Sequence, residues 1–147
     1  QRLNQNIGDL VSPLCRVVEF ADAQCGLSAA SYQEAATVSE VIGWDALKVT
    51  GASAASGTYD YGTLLFGTGD NAGVTREIRA HTNYGAYSIV WIQERFPETV
   101  QVGDTATLSA GCDRRFETCR DKFSNVANFR GEPHVPASDY LTQRGTQ

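Results

Sequence analysis

Short runs of β-branched and aromatic residues, separated by turn residues, constrain the fold of this chain more than any other feature. Within residues 37–110 the runs are TVSEVIGW, ALKVTGA, TYDYGTLLFGTG, VTREIRAHTN, AYSIVWIQERF and QVGDTATLSAG. Their alternating apolar positions indicate β-strands, and the turn GDNAG at 69–73 predicts a hairpin between the third and fourth runs. Roughly five to seven short strands at this spacing predict a mainly β fold, a small antiparallel barrel or sandwich.

The sequence before this β region differs in character. Residues 1–36 are irregular, and we expect a short N-terminal helical segment that Gly8 and Pro13 interrupt. Ser28 can cap a further short helix over the run SAASYQEAA.

Beyond residue 110 the pattern changes to that of an α-helix. Asp113 can serve as the N-cap, and the residues that follow place apolar side chains on one helical face. These apolar residues are Phe116, Cys119, Phe123 and Val126. The pattern puts Cys119 on the buried side of the helix, which we expect to end at Gly131 and Pro133.

The chain has 147 residues, about one domain in length, and we expect a single domain (1–147) with three segments. These are an N-terminal cysteine segment (1–36), a β core (37–110) and a C-terminal cysteine helix with a tail (111–147). The net charge of −5 argues against nucleic-acid binding, and no apolar run approaches the ~20 residues of a membrane span. Because the sequence lacks Met and starts at Gln1, we expect the C-terminal piece of a longer polypeptide, or a processed chain.

Four cysteines are the candidate functional residues: Cys15, Cys25, Cys112 and Cys119. An even count permits two disulfides, although a domain of this size with a β core has little need of them. Zinc sites usually take paired ligands that are about two to four residues apart, which neither pair matches. An iron–sulfur cluster held by four thiolates accepts looser spacing. The spacing by itself leaves all three interpretations open.

Several cations stand near these cysteines in the sequence: Arg16, Arg114, Arg115, Arg120 and Arg130. Four thiolates on a [4Fe–4S] core in its oxidised state carry a net charge of about −2, which needs compensating charge when it is half buried. A solvated helix face explains the same arginines, and their spacing alone favours that simpler explanation. His134 stands between two prolines and is either structural or a donor to a cluster sulfur; a Cys–His nucleophilic pair is also conceivable.

Four segments resemble, in order, the tail hub family of siphophage tails and gene transfer agents. GCDRRFETCRDKFSNVANFRGEPHVPASDYL resembles the C-terminal signature of the family, and CRVVEFADAQCG its N-terminal cysteine pair. LLFGTGDNAGVTREIRAHT and VQVGDTATLSAGCDRRFETC are similar to two segments between them, so that the resemblance spans residues 3–141. The chain departs from the family pattern at Phe20, Ala21 and Ala137, which concerns loop shape and not the cysteines.

The resemblance implies a structural role in a virion and no enzymatic activity. The family is related to the tail-tip protein of phage lambda, whose C-terminal domain holds an iron–sulfur cluster on four cysteines. By this resemblance, Cys15, Cys25, Cys112 and Cys119 would bind a [4Fe–4S] cluster that joins the ends of the domain, with the nearby arginines and His134 around it.

The resemblance also implies a place in the particle and a set of partners. Hub proteins form a ring, usually a homotrimer, at the tail tip or baseplate, between the distal tail protein and the central fibre or tip protein and near the tape measure. Two alternatives belong to other classes: a disulfide-stabilised binding module on the virion surface, and a tail hydrolase that degrades the cell wall.

Overall fold

The computed structural model describes residues 12–134, which belong to two compact units. The barrel unit comprises residues 20–113. The described part of the terminal unit comprises residues 12–19 and 114–134. The predicted helical stretch that Gly8 interrupts lies outside the described residues.

Six antiparallel strands of the barrel unit close into a barrel in the order β1-β2-β5-β4-β3-β6. The strands are β1 (Gln33–Val41), β2 (Ala46–Thr50), β3 (Thr63–Phe66), β4 (Thr75–Asn83), β5 (Ser88–Ile92) and β6 (Thr105–Ser109). The mainly β, antiparallel fold predicted from the sequence is therefore confirmed, and of the two predicted forms, barrel and sandwich, the structure has the barrel. A short 3-10 helix, Ala29–Tyr32, precedes β1 at the place where the sequence predicted a helix after Ser28.

Alternating side chains fill the barrel, as the period of two in the sequence requires. In β5, Val90 and Ile92 are completely buried, while the alternate residues Ile89 and Trp91 are partly exposed. The strand lies between β2 and β4, which agrees with the prediction that this run is central. It ends at Ile92 and not at Pro97 as predicted, because the chain turns away and buries Phe96 against Phe66, with ring centroids 4.8 Å apart.

The pairing of first and last strands defines the two ends of the barrel. Gln33, the first residue of β1, pairs with Ser109, the last residue of β6, so both connections to the rest of the chain leave at this end. We call it the cysteine end, because the segments with Cys25 and Cys112 start there. The opposite end carries the β1–β2 hairpin tip (residues 42–45) and the loop between β5 and β6 (residues 93–104), and we call it the groove end.

The terminal unit contains one short helix, α1 (Phe116–Asp121), and a 3-10 turn at Val126–Asn128. Arg115 is the N-cap in place of the predicted Asp113. The helix ends about ten residues earlier than predicted, because Ser124 adopts a left-handed backbone conformation with φ of 49°. Cys119 is buried as predicted, whereas Val126, at 41 % exposure, is not. None of the described helices is long and apolar enough to cross a membrane.

Two glycines allow backbones to pack against each other at the cysteine end. A Cβ at Gly62 would overlap the carbonyl oxygen of Ser109, and a Cβ at Gly111 would overlap the backbone of Tyr61. Since backbone atoms cannot move aside as a flexible side chain can, any larger residue has to displace the strand end. Gly111 therefore fixes where the chain leaves β6, one residue before Cys112.

We expect Gly111→Ala to destabilise the protein by about 3 kcal/mol or more, at the upper end of the usual cost of overpacking. Urea denaturation followed by circular dichroism would measure the free energy of unfolding. Gly43→Ala is the matched control, because its Cβ would meet only a side-chain oxygen of Asp45 at an ordinary 3.5 Å. Equal stability of the two variants would contradict the proposed close packing.

Glu34 on β1 holds the loop that follows β2. Its carboxylate accepts hydrogen bonds from the backbone N–H of Ser53 at 2.6 Å and of Ala54 at 3.2 Å, and from the Ser53 hydroxyl at 2.9 Å. Partial burial acts to raise the pKa of Glu34, but these donors and the Tyr59 hydroxyl outweigh it and lower the pKa below the ordinary value of 4.5. Burial, followed by the neighbouring Glu34 carboxylate, raises the pKa of Tyr59.

The lowered pKa of Glu34 predicts a loss of stability in acid. Its stabilisation is fully present above the ordinary carboxyl pKa and disappears as the pH falls through the lower value of the folded state. We expect Glu34→Gln to remove about 1 kcal/mol at neutral pH and to flatten the fall in unfolding free energy below pH ~4.5. Glu40→Gln, which loses only an exposed ion pair with Lys48, should keep the wild-type acid profile; if both variants flatten it, Glu34 is not the source.

Candidate functional site

The four predicted ligands are divided equally between the two units. Cys15 and Cys119 belong to the terminal unit, and Cys25 and Cys112 to the barrel unit. Within residues 12–134 no group of three or more His, Cys, Asp or Glu side chains has an arrangement that could hold a metal ion. The four-cysteine ligand set therefore stays a prediction, and each cysteine is described in its own unit.

Cys25 lies in a loop that Asp22 organises. The Asp22 side chain accepts hydrogen bonds from the backbone N–H of Gln24 at 2.8 Å and of Cys25 at 2.7 Å, the pattern of an Asx turn. The Asp22 carbonyl oxygen accepts a third bond, from Gly26 N–H at 3.0 Å. The loop therefore fixes the backbone of a half-exposed cysteine.

Cys112 follows β6 at the same end of the barrel. The N–H of Ala110 donates to the carbonyl of Tyr32 at 2.9 Å, which extends the β1–β6 pairing by one step beyond Ser109. The segments that carry Cys25 and Cys112 therefore leave two hydrogen-bonded strands at the cysteine end. The thiol of Cys112 is half-buried.

Cys15 is held between two stretches of the terminal unit. Its N–H donates to the carbonyl of Arg114 at 2.8 Å, and its sulfur accepts the backbone N–H of Arg130 at 3.4 Å. Arg16 N–H then donates to the Arg130 carbonyl at 3.2 Å. Hydrogen bonds to a cysteine sulfur are among the interactions that tune iron–sulfur clusters.

Cys119 is buried on α1 and bonded to the turn that follows the helix. Its thiol donates to the carbonyl oxygen of Asn125 at 3.3 Å, and Asn125 N–H donates to the Cys119 carbonyl at 2.9 Å. The Asn125 carbonyl also accepts the N–H of Asn128 at 3.1 Å. If Cys119 lost its proton to bind a metal, this carbonyl would keep a donor, so deprotonation leaves no buried acceptor unsatisfied.

Two of the predicted compensating arginines form ion pairs with carboxylates. Arg16 lies 2.8 Å from Glu132, and Arg120 lies 2.7 Å from Asp121. Arg130 contacts a cysteine through its backbone N–H. Arg114 and Arg115 contribute carbonyl oxygens, which accept the N–H groups of Cys15 and Cys119.

The predicted His134 lies near an aromatic pair of the terminal unit. Its ring centroid is 6.2 Å from that of Phe116, which in turn packs edge-on against Phe129 at 5.2 Å. The His134 side chain is exposed, with Phe116 as its ring neighbour. The described contacts do not test its predicted approach to a cluster sulfur.

Sequence reasoning missed Glu132, which ties the N-terminal and C-terminal stretches of the terminal unit together. Its carboxylate accepts the N–H of Ser12 at 3.1 Å and the guanidinium of Arg16 at 2.8 Å, while its own N–H donates to the Ser12 carbonyl at 2.8 Å. The Ser12 N–H and then Arg16 lower the pKa of Glu132 below its ordinary 4.5. The sequence signal for this role is the acidic residue of the motif RGEPH, which stands among cations.

Gly131 explains why the same motif contains a glycine. A Cβ there would lie 2.6 Å from the carbonyl oxygen of Leu14 and 2.9 Å from the ring of Phe129. The residue before it contacts Cys15, and the residue after it contacts Ser12. The close approach of residues 130–132 to residues 12–16 therefore requires glycine.

A solved structure contains a chain with a similar fold. A chain in the structure titled "Virion of native gene transfer agent (GTA) particle" matches with a TM-score of 0.73 and 29 % sequence identity, over 95 % of this chain. The alignment covers 49 % of that chain, so this protein spans about half the length of its structural relative. No curated protein sequence matches.

The family comparison covers strands β3 to β6 of the barrel and most of the C-terminal signature. A family model described as "Phage conserved hypothetical protein BR0599" matches residues 57–139. This match and the gene transfer agent structure confirm the predicted kinship with phage and gene transfer agent proteins, while the narrower tail hub assignment stays a prediction. Because the matched residues are more than half of the chain, this protein belongs to the family of phage conserved hypothetical proteins BR0599.

Proposed function

We propose that this protein is a structural component of a phage or gene transfer agent virion and that it acts in the hub at the tail tip. The observation that carries the proposal is the match of 95 % of this chain, at 29 % identity, to a chain of a gene transfer agent virion. The four tail hub segments in the sequence support the narrower assignment. As a hub it would form a homotrimeric ring that connects the distal tail protein to the central fibre, close to the tape measure, and it would not act as an enzyme.

The second part of the proposal is a [4Fe–4S] cluster held by Cys15, Cys25, Cys112 and Cys119. Four thiols are the ligand type that such clusters need. Three local features support this chemistry. The N–H of Arg130 is directed at the Cys15 sulfur, and Asp22 fixes the backbone of the Cys25 loop. The Asn125 carbonyl still accepts the N–H of Asn128 if the Cys119 thiol loses its proton. The terminal-unit arginines supply positive charge for a cluster of net charge about −2.

The work of such a cluster would be structural. Metal-binding free energy becomes folding free energy when the ligands are distant in the sequence and assembled only in the folded state. Since two ligands belong to each unit, the cluster would make the stability of the terminal unit depend on that of the barrel unit. The chain's own contribution is to hold each sulfur in a fixed backbone setting and to exclude water from Cys119.

The tail-tip assignment predicts where the protein lies in a particle. An antibody raised against residues 1–147 and coupled to gold should label one end of the tail in electron micrographs of virions. An antibody against the major tail tube protein is the control and should label the whole tail. Label on the head, or along the tube, would contradict the hub assignment while leaving family membership intact.

The cluster proposal predicts a coloured protein. Purified without oxygen, the chain should show a broad absorption band near ~400 nm and about four iron and four sulfide per chain. We expect Cys→Ser at any of the four positions to lower the iron content and the unfolding free energy. Ser109→Ala, which changes a hydroxyl on β6 near the cysteine end, is the matched control and should keep the iron.

Two colourless outcomes would exclude the cluster and point to the alternatives. Absence of titratable thiols in the denatured, unreduced protein would indicate disulfides and favour the binding module. Four titratable thiols with bound zinc would indicate a structural zinc site.

Loss of cell-wall lysis by intact particles after His134→Ala would instead support the tail hydrolase.

A further inference from the structure

The groove end of the barrel carries a preformed cavity that the proposed hub and cluster roles do not use. Its volume is about 270 Å³, and it lies between the β1–β2 hairpin and the loop between β5 and β6. The floor and walls are mainly apolar. The cavity is lined by residues that include Trp44, Leu47, Arg95, Phe96 and Glu98.

Large apolar side chains stand exposed at the groove end, on the hairpin tip and in the loop between β5 and β6. Trp44 is 54 % exposed, Ile42 52 % and Val102 66 %. Trp44 also has the guanidinium of Arg95 at 5.9 Å from its ring centroid. Tryptophan and arginine are the residues most enriched among the energetic centres of protein interfaces, and a set of exposed apolar residues with a charged rim is typical of a docking surface.

The loop that forms one wall is held in place by hydrogen bonds to residues 71–76. Asn71 is completely buried, and its amide accepts the N–H of Glu98 and donates to the Glu98 carbonyl, both at 3.0 Å. The Arg76 guanidinium donates to the Arg95 carbonyl at 3.1 Å. A twelve-residue connection without strand or helix (93–104) joins β5 to β6 at the groove end, although these strands are not neighbours in the barrel. Such rigid fixing lowers the ordering cost of binding.

The charge of the barrel unit indicates the kind of partner. Residues 20–113 contain eleven Asp and Glu against four Lys and Arg, a net charge of −7 compared with −5 for the whole chain. Among the residues that line the cavity, Glu98 is exposed, and within residues 12–134 its carboxylate has no ion-pair partner. The other charged lining residue, Arg95, lies over the Trp44 ring. A partner that places positive charge beside this rim is favoured over a neutral or acidic one.

We propose that this cavity binds an extended segment of a neighbouring virion protein in which an apolar side chain is flanked by Lys or Arg. The apolar side chain fills the space between Leu47, Phe96 and Trp44, and a flanking cation lies beside Glu98. A cavity of about 270 Å³ is smaller than most small-molecule sites, which begin at about 300 Å³, but it accommodates one or two side chains. The proposal rests on the virion role proposed above and not on the cluster.

The test uses the full 147-residue chain with Trp91→Phe, which leaves Trp44 as the only tryptophan. The probes are two short synthetic peptides of Gly and Ser around a central Leu pair, one flanked by Lys and the other by Glu. The Lys peptide should shift Trp44 fluorescence to shorter wavelength and bind at least about threefold more tightly than the Glu peptide. Its affinity should fall as salt rises.

Two variants locate the binding. Glu98→Lys should weaken the Lys peptide by at least about threefold and strengthen the Glu peptide. Tyr84→Asp is the matched control, since Tyr84 is 55 % exposed on the β4–β5 hairpin at the opposite, cysteine end of the barrel; it should change neither affinity. These readouts need neither iron nor assembled particles.

Three results would overturn the proposal. The first is equal binding of both peptides, or no response of Trp44 to either. The second is an unchanged affinity for Glu98→Lys. The third is concentration-dependent self-association in sedimentation experiments that buries Trp44, which would assign the surface to a second copy of the chain. None of these results changes the expected gold labelling of the tail tip, which tests the hub assignment by itself.

Discussion

The antiparallel pairing of β1 with β6 is the constraint on which the rest of the barrel unit depends. Gln33 lies opposite Ser109 and Thr37 opposite Thr105, and this ladder closes a six-stranded sheet that would otherwise have two open edges. Closure also gives the barrel two distinct ends. One receives both connections to the rest of the chain, and the other is formed only by loops between strands.

The two ends carry different chemistry as a result. At the cysteine end, Gly62 and Gly111 permit backbones to approach so closely that the chain leaves β6 along one path. At the groove end, Asn71 fixes a long loop through its buried amide. The first arrangement positions a cysteine and the second shapes a cavity. The contacts at the cysteine end and those at the groove end share no residues, so a change at one end need not alter the other.

The terminal unit gives a physical meaning to the signature RGEPH. Arg130 presents a backbone N–H to the Cys15 sulfur, Gly131 leaves room for the Leu14 carbonyl, and Glu132 binds Ser12 and Arg16. The cationic character of this region therefore serves the unit partly through ion pairs with its own carboxylates. The contact that Arg130 makes with a cysteine sulfur comes from its backbone N–H.

The sequence by itself determined the β-strand runs, the β3–β4 hairpin, the burial of Cys119 and the kinship with phage and gene transfer agent proteins, because these follow from local periodicity and from motifs. It overextended β5 and α1, because tertiary contacts of Phe96 and the left-handed Ser124 override local propensity. Only the tertiary structure decided that the sheet closes into a barrel and that Asn71 and Glu132 hold distant segments. Those features depend on hydrogen bonds between residues far apart in the chain, whose partners no local pattern specifies.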